Sequence, residues 1–465
     1  MSANEHGHPV ITGPSLSESM ADVFSKWTLA DIPATTRAVA IRDLIDMAGL
    51  CVAARQQDYV KQIVEGWDSE GSCTGIGHAR TFDAAGAAVV NGIATHGEDF
   101  DDTLEGAPIR VGAMVIPAVL AAGQRYNLSG ERVLLGMIAG METVCRLNYV
   151  AAGKMHSACF HPVGVIGALG ASIGAGTALG LDRDKLAMAM GVAGSFASGI
   201  IEFLTDGAWT KRLHPGWAAQ SGYRAAVIAR QGFFAPRTIL EGEHNFFRAF
   251  APSAKPDYSH LLTGLGEKFY MDSIAFKPYA CGTMIHPYID CMIRLRRQGV
   301  NPDQIESIVC PTGEGLVHRL WEPLAGKHAP PSGYASKFSM PFCMAVGFFE
   351  QDAGLDQFTD AKAANPQYLE LARKISYVID PANEYPRNYS GHIRVTMKDG
   401  SQIALDQPHM RGGVREPLTH ADIVAKFRAN VLYGGWPAAL GEELLGYCEG
   451  MAGHGDLSGM AAFAR

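Results

Sequence analysis

Val163-Gly-Val-Ile-Gly-Ala-Leu-Gly-Ala-Ser-Ile-Gly-Ala-Gly-Thr-Ala-Leu-Gly-Leu181 carries no charged residue over about the length of a bilayer span. Its small residues argue against a membrane segment. Gly164, Gly167, Gly170, Gly174, Gly176 and Gly180 keep its hydrophobicity low, and so smooth a helix suits close packing against other helices in a soluble core. Pro162 is placed to open this helix as its first residue. Outward from it, helical spacing recurs over 15–31, 37–56, 58–67, 82–102, 114–124, 130–149 and 162–179, with Asp182 heading another helix over 182–193. Up to about Ala251 no alternating strand pattern stands out.

After Lys255 the composition changes. A short strand is expected over 269–276, a helix over 287–298, a β-rich run over 305–311 and a helix over 336–349. A strand over 377–380 precedes a hairpin of 392–397 and 402–405, turning on Asp399-Gly400. Helices return over 419–431, behind a Thr419 cap, and over 437–449. The predicted fold is therefore mostly α with an inserted α+β module. A discontinuous all-helical domain takes residues 1–265 and 410–465, and a smaller α+β domain takes 266–409.

The 465 residues, 47% hydrophobic and 18% charged, suit a globular chain with a large core. A formal charge of −8 and no basic run interleaved with aromatics argue against a nucleic-acid surface. An anionic substrate then needs a local basic pocket. The nine cysteines show no zinc-like spacing, which points to a reducing cytoplasmic setting. Residues 1–17 are polar, carry His6 and His8, and lack the apolar region of a signal peptide. No membrane attachment and no metal site are expected.

Four stretches carry candidate chemistry. Lys211 and His214, three residues apart in Thr210-Lys-Arg-Leu-His-Pro-Gly216, present a cation and a titratable imidazole to one anionic ligand, and Pro215-Gly216 is expected to end that turn before a new helix over 217–231. Surface lysines and loop histidines give the same letters without function. His96, Asp99 and Thr103 fall on one face if the 82–102 helix continues, inside an acidic run that lacks calcium-loop spacing. His161, just before Pro162, sits at the positive end of a helix, which favours a neutral imidazole, although a histidine is also simply tolerated there. Lys277, Cys281 and His286 surround a small-residue turn, with Cys281 better read as a packed thiol than as a nucleophile.

Gly174-Ala-Gly-Thr-Ala-Leu-Gly180 has no preceding strand, so it is no dinucleotide fingerprint, and Gly170-Ala-Ser-Ile-Gly174 lies mid-helix, where no nucleophile elbow forms. Acid–base chemistry without a cofactor remains.

Taken together, His96-Gly-Glu-Asp99-Phe-Asp-Asp-Thr103, Phe160-His161-Pro162, Thr210-Lys211-Arg-Leu-His214-Pro-Gly216, Lys277-Pro-Tyr-Ala-Cys281 and Ser339-Met-Pro-Phe resemble the MmgE/PrpD family over about residues 30–427. That resemblance implies a large helical domain with a smaller α+β lid, a homodimer, no metal or organic cofactor, and proton transfer next to a carboxylate of a small di- or tricarboxylate. It implies that Asp99, Thr103, His161 and Lys211 line the pocket, with His214, Lys277 and His286 nearby. His96, Arg110, Tyr149 and Cys281 complete the expected substrate-contacting set. The preferred reaction is a lyase of the 2-methylcitrate dehydratase kind. Lys211 or His161 would remove the proton, Asp99 orient one of them, and Arg110 and Lys277 neutralise carboxylates. Epimerisation of an imino- or hydroxy-dicarboxylate uses the same groups. Arg110 stands where many relatives have a histidine, and Gly282 where cis-aconitate decarboxylases carry one, so a decarboxylase is the least favoured of the three.

Overall fold

The computed structural model describes residues 13–107 and 109–465; His6, His8 and Pro108 lie outside them. The chain divides into two compact units, Met1–Gly97 with Ile109–Asp272 and Glu442–Arg465, and Glu98–Pro108 with Ser273–Gly441. The expected boundaries at 265/266 and 409/410 are placed differently: the observed unit of sheet and helices takes in residues 98–108 and continues to Gly441.

The larger unit is helical. It contains α1 (Leu16–Phe24), α2 (Ala34–Ala54), α3 (Asp58–Gly66), α4 (Ala84–His96), α5 (Gly112–Tyr126), α6 (Gly130–Val150), α7 (Lys154–Ser157), α8 (Pro162–Leu179), α9 (Arg183–Phe196), α10 (Phe203–Asp206) and α11 (Thr210–Arg230). Sequence signals set several ends. Ser15 and Glu18 form a reciprocal capping box at α1, Asp182 accepts the Lys185 amide at the start of α9, and Gly180 in the left-handed conformation closes α8. The glycine-rich α8 is buried along nearly its whole length against α5, α6, α9 and α11, so it is a core helix. Its crossing with α6 is backbone on backbone: a Cβ on Gly140 would stand 2.8 Å from the Gly170 carbonyl oxygen. Both α6 and α8 are long and apolar enough to cross a membrane, yet 89% of each apolar window is buried inside this unit.

Three expectations are corrected. The helix expected to run to 102 stops at His96; Gly97 caps it, and Asp99 turns left-handed with φ 55°. His96, Asp99 and Thr103 therefore do not share a helical face. The acidic run would also have faced the negative end of the helix dipole. Second, Pro215 does not break the chain. It lies inside the continuous α11, near its start, where it removes the hydrogen bond that an N–H would give to the Lys211 carbonyl one turn back and crowds that carbonyl with its ring. Third, short strands do occur early. β1 (Cys73–Thr74) pairs with β2 (Thr81–Phe82), and β3 (Thr103–Leu104) pairs with β4 (Ile274–Ala275), which is all that is extended of the strand expected over 269–276.

The smaller unit is built on a four-stranded sheet of β5 (Ile305–Thr312), β6 (Ile375–Ile379), β7 (Gly391–Met397) and β8 (Gln402–Gln407), in the order β6-β5-β7-β8. β5 and β6 are parallel, the other pairs antiparallel, and β7–β8 is the expected hairpin, with Gly400 taking φ 86° in its turn. The helix His286–Arg297 packs on β7 and β8 and against the helix Met340–Glu350.

Three consecutive residues fix the 98–108 segment within this unit. Glu98 takes Lys337 at 2.6 Å, Asp99 takes Lys277 at 3.0 Å, and the Phe100 carbonyl accepts from Lys426 at 2.7 Å. All three lysines are buried. Removing one partner of a buried pair leaves an uncompensated charge and typically costs about 3–5 kcal/mol. Lys337→Met is expected to lower unfolding stability by about that much, and Glu98→Gln added to it to restore part of the loss. Denaturant titration of the two variants checks this; equal stability of Lys337→Met and wild type would remove the pair from the account.

Candidate active site

In the helical unit, His161 and His214 are brought together by elements with separate anchors. His161 caps α8 ahead of Pro162, and its backbone N–H donates to the Gly199 carbonyl at 2.9 Å while the Ile201 N–H donates to the Cys159 carbonyl at 3.1 Å. Phe160 and Ile200 form a β-bridge between these bonds. His214 lies on the second turn of α11 and Lys211 on its first, three residues apart and so on one face. The two Nδ1 atoms meet at 2.9 Å. The His96 ring, at the end of α4, lies 5.9 Å from that of His161, and Phe203 turns its edge to both rings of the pair at 5.7 and 5.8 Å. Gly199 has φ 123°, and a Cβ there would press on the His214 ring at 3.2 Å, so this turn needs glycine for both backbone and space.

Electrostatics keep these rings neutral. Burial, then the charges of His96, His214, Lys211 and His156, hold the His161 pKa well below its ordinary value. Burial, then His96 and Lys211, push His214 down to about 4. His161 is thus depressed in the expected direction, with desolvation as the leading cause and neighbouring positive charges behind it. The neighbouring Arg212 is buried with its guanidinium 4.3 Å over the Tyr59 ring, which removes the solvated-surface reading for that residue.

In the smaller unit, Asp99, Thr103, Lys277, Cys281 and His286 are all buried. The Lys277 amino group donates to the Asp99 carbonyl at 2.5 Å, to Asp99 Oδ2 at 3.0 Å and to the Cys281 carbonyl at 3.0 Å, one acceptor for each N–H of an ammonium. Thr103 lies opposite Ala275 in the β3–β4 pair. His286 Nε2 lies 3.4 Å from the Cys281 carbonyl, and burial with the Lys277 charge holds this imidazole neutral. Nε2 is then the N–H, which leaves Nδ1 bare and, among the described residues, without a partner. The Cys281 thiol faces Cys343 and the Gly282 carbonyl, as a packed thiol does.

The remaining expected residues are placed as follows. Tyr149, on α6, stacks on His260 at 5.5 Å and meets Tyr270 edge-on at 5.4 Å. Arg110 is half-buried, two residues before α5. Sequence reasoning did not single out Lys337, Gly199 or Phe203. The first is a lone lysine before the Ser339-Met-Pro-Phe motif, and only its distant partner distinguishes it from a surface lysine. Among the described residues no group of three or more His, Cys, Asp or Glu side chains is arranged to hold a metal ion.

The sequence matches the MmgE/PrpD N-terminal domain over residues 18–259 and the MmgE/PrpD C-terminal domain over residues 279–435. It is similar to the cis-aconitate decarboxylase of Aspergillus terreus, 27% identical over 428 residues that cover 86% of this chain and 85% of that protein. The cis-aconitate decarboxylases of Mus musculus and Homo sapiens are each 29% identical, covering 74% of this chain and 71% and 72% of theirs.

A group whose folded pKa is depressed stays neutral while the unfolded chain takes up a proton. Between the ordinary value of 6.5 and about 4, His214 therefore makes stability fall as pH falls. The drop in melting temperature from pH 7 to pH 4.5 is expected to be smaller in His214→Gln than in wild type. An equal drop in calorimetry would show that His214 does not titrate as a buried base.

Proposed function

The chain belongs to the MmgE/PrpD family and is an enzyme of the lyase class, and from that premise we propose that it acts on a small di- or tricarboxylate by moving a proton at the carbon next to a carboxylate. The observation that carries this reading is the neutral His161–His214 pair beside Lys211. A buried imidazole with its pKa held down is a proton acceptor at neutral pH, and a neighbouring ammonium attracts the carboxylate and steadies the negative charge that develops as the proton leaves. With an overall charge of −8, an anionic substrate needs such a local positive group to offset the repulsion of the rest of the surface.

Within that class we favour dehydration: His161 takes the proton, Lys211 as an ammonium assists departure of hydroxide, and Arg110 clamps a carboxylate. As the family resemblance implies, no cofactor takes part, and the working form is a homodimer. The nine cysteines, all free thiols, support a reducing, cytoplasmic setting. Decarboxylation is the second reading, favoured by the names of the curated relatives. Against it stands Gly282, at the position where, as the family resemblance implies, those enzymes carry a histidine. Its backbone does not call for glycine, since a Cβ would meet only ordinary contacts at 3.4 Å and beyond.

The readings separate in deuterated buffer. With 2-methylcitrate a dehydratase builds an ultraviolet-absorbing enoate; with cis-aconitate a decarboxylase releases carbon dioxide; an epimerase exchanges the α-hydrogen of a hydroxy-dicarboxylate and yields neither. None of the three would end the proposal.

Lys211→Ala is expected to lower turnover by about two to four orders of magnitude with little change in melting temperature. A wild-type rate would return Lys211 to the status of a surface lysine. Arg110→Lys is expected chiefly to raise KM, because a point charge keeps the attraction but loses the two-pronged geometry of a guanidinium on a carboxylate. Steady-state kinetics with an unchanged KM would take Arg110 out of the substrate contacts.

A further inference from the structure

A neutral imidazole carries one N–H, and its other ring nitrogen holds a lone pair. The two Nδ1 atoms of His161 and His214, 2.9 Å apart, can form a hydrogen bond only when one of them bears the proton and the other does not. The rings are then necessarily in opposite tautomers. The ring that donates through Nδ1 has a bare Nε2 on its far side, and the ring that accepts through Nδ1 has an Nε2–H. Gly199, with no side chain to part the rings, and the edge of Phe203 against both hold this contact in place.

We infer that His161 and His214 work as one proton relay, in which a proton taken up at the Nε2 of one ring leaves from the Nε2 of the other. The step balances as follows. The bare Nε2 takes the proton of the substrate C–H bond, whose electron pair stays on the carbon skeleton as an enolate. That ring, now protonated at both nitrogens, passes its Nδ1 proton to the Nδ1 lone pair of its partner. The partner gives up its Nε2 proton to the departing hydroxyl, whose C–O bond breaks with the pair going to oxygen, so that water leaves as the enolate pair forms the C=C bond. A proton taken up from water at the partner's Nε2, with the Nδ1 proton passing back and the first ring's Nε2 proton released to water, restores the starting tautomers. No oxidant, reductant or further reactant is needed. The positive charge exists only in passage, which agrees with the neighbours of the pair: His96, Lys211 and His156 all disfavour a resting imidazolium, and burial disfavours it more.

The inference rests on the lyase reading for its substrate but not for its geometry, so the two are tested apart. In the intact enzyme labelled with 15N-histidine, spectra at pH 7, assigned with His161→Gln and His214→Gln, are expected to show one of the two rings protonated at Nδ1 and the other at Nε2. Both rings protonated at Nε2 would overturn the relay whatever the enzyme catalyses. Turnover is then measured with whichever of 2-methylcitrate and cis-aconitate is consumed. A relay is cut by the loss of either ring, so each single variant is expected to lose a hundredfold or more, on the order of what a general acid or base contributes, and the double variant no more than the worse single. Single losses that multiply in the double variant would show two independent groups and overturn the inference. If neither compound is consumed, the lyase reading falls, and the tautomer spectrum still decides whether the pair can relay.

Discussion

Three buried lysines on three consecutive residues are the constraint around which this chain is arranged. An ammonium group in a protein interior is costly unless a carboxylate or several carbonyls meet it, and Lys337, Lys277 and Lys426 are met by Glu98, Asp99 and Phe100. The chain must therefore leave the helical unit directly after α4. That explains why a helix of good apolar pattern ends at His96, and why Asp99, a residue type that tolerates it better than most, takes a left-handed conformation.

On the helical side the governing interaction is close backbone approach. Small residues on α6 and α8 let those helices touch, and the bridge of Phe160 with Ile200 brings the start of α8 to the turn at Gly199. His161 and His214 are consequences of this packing: their rings meet because the segments that carry them are held by backbone hydrogen bonds and a glycine. The same enclosure that fixes the rings desolvates them, so one cause supplies both their position and the neutral, unprotonated state in which they can accept a proton.

How far the sequence could be read follows from the range of the forces involved. Local signals were legible: Pro162 opens α8, Asp182 heads α9, and Asp399-Gly400 turns the β7–β8 hairpin. The spacing of Lys211 and His214 and the place of His161 before Pro162 brought these residues to notice, the family resemblance then implied one pocket for them, and His161 and His214 are in contact. Long-range partners were not legible. The end of α4 depends on lysines far along the chain, and the passage of α11 through Pro215 depends on the helices that bury it, which outweigh one missing hydrogen bond. The tyrosine at 149 shows the converse, since its neighbours His260 and Tyr270 come from a stretch with no pattern of its own.

The ion pairs of Glu98 and Asp99 also bear on how such a protein can be recombined. The sheet-bearing unit looks like an exchangeable cassette from Ser273 to Gly441, but its interior charges are balanced by a strip of chain that the gene encodes far upstream. Grafting the cassette alone between relatives would import three interior cations and leave their counterparts behind. The unit of inheritance is therefore the cassette together with its remote strip, and substitutions on the two can be exchanged only as matched sets.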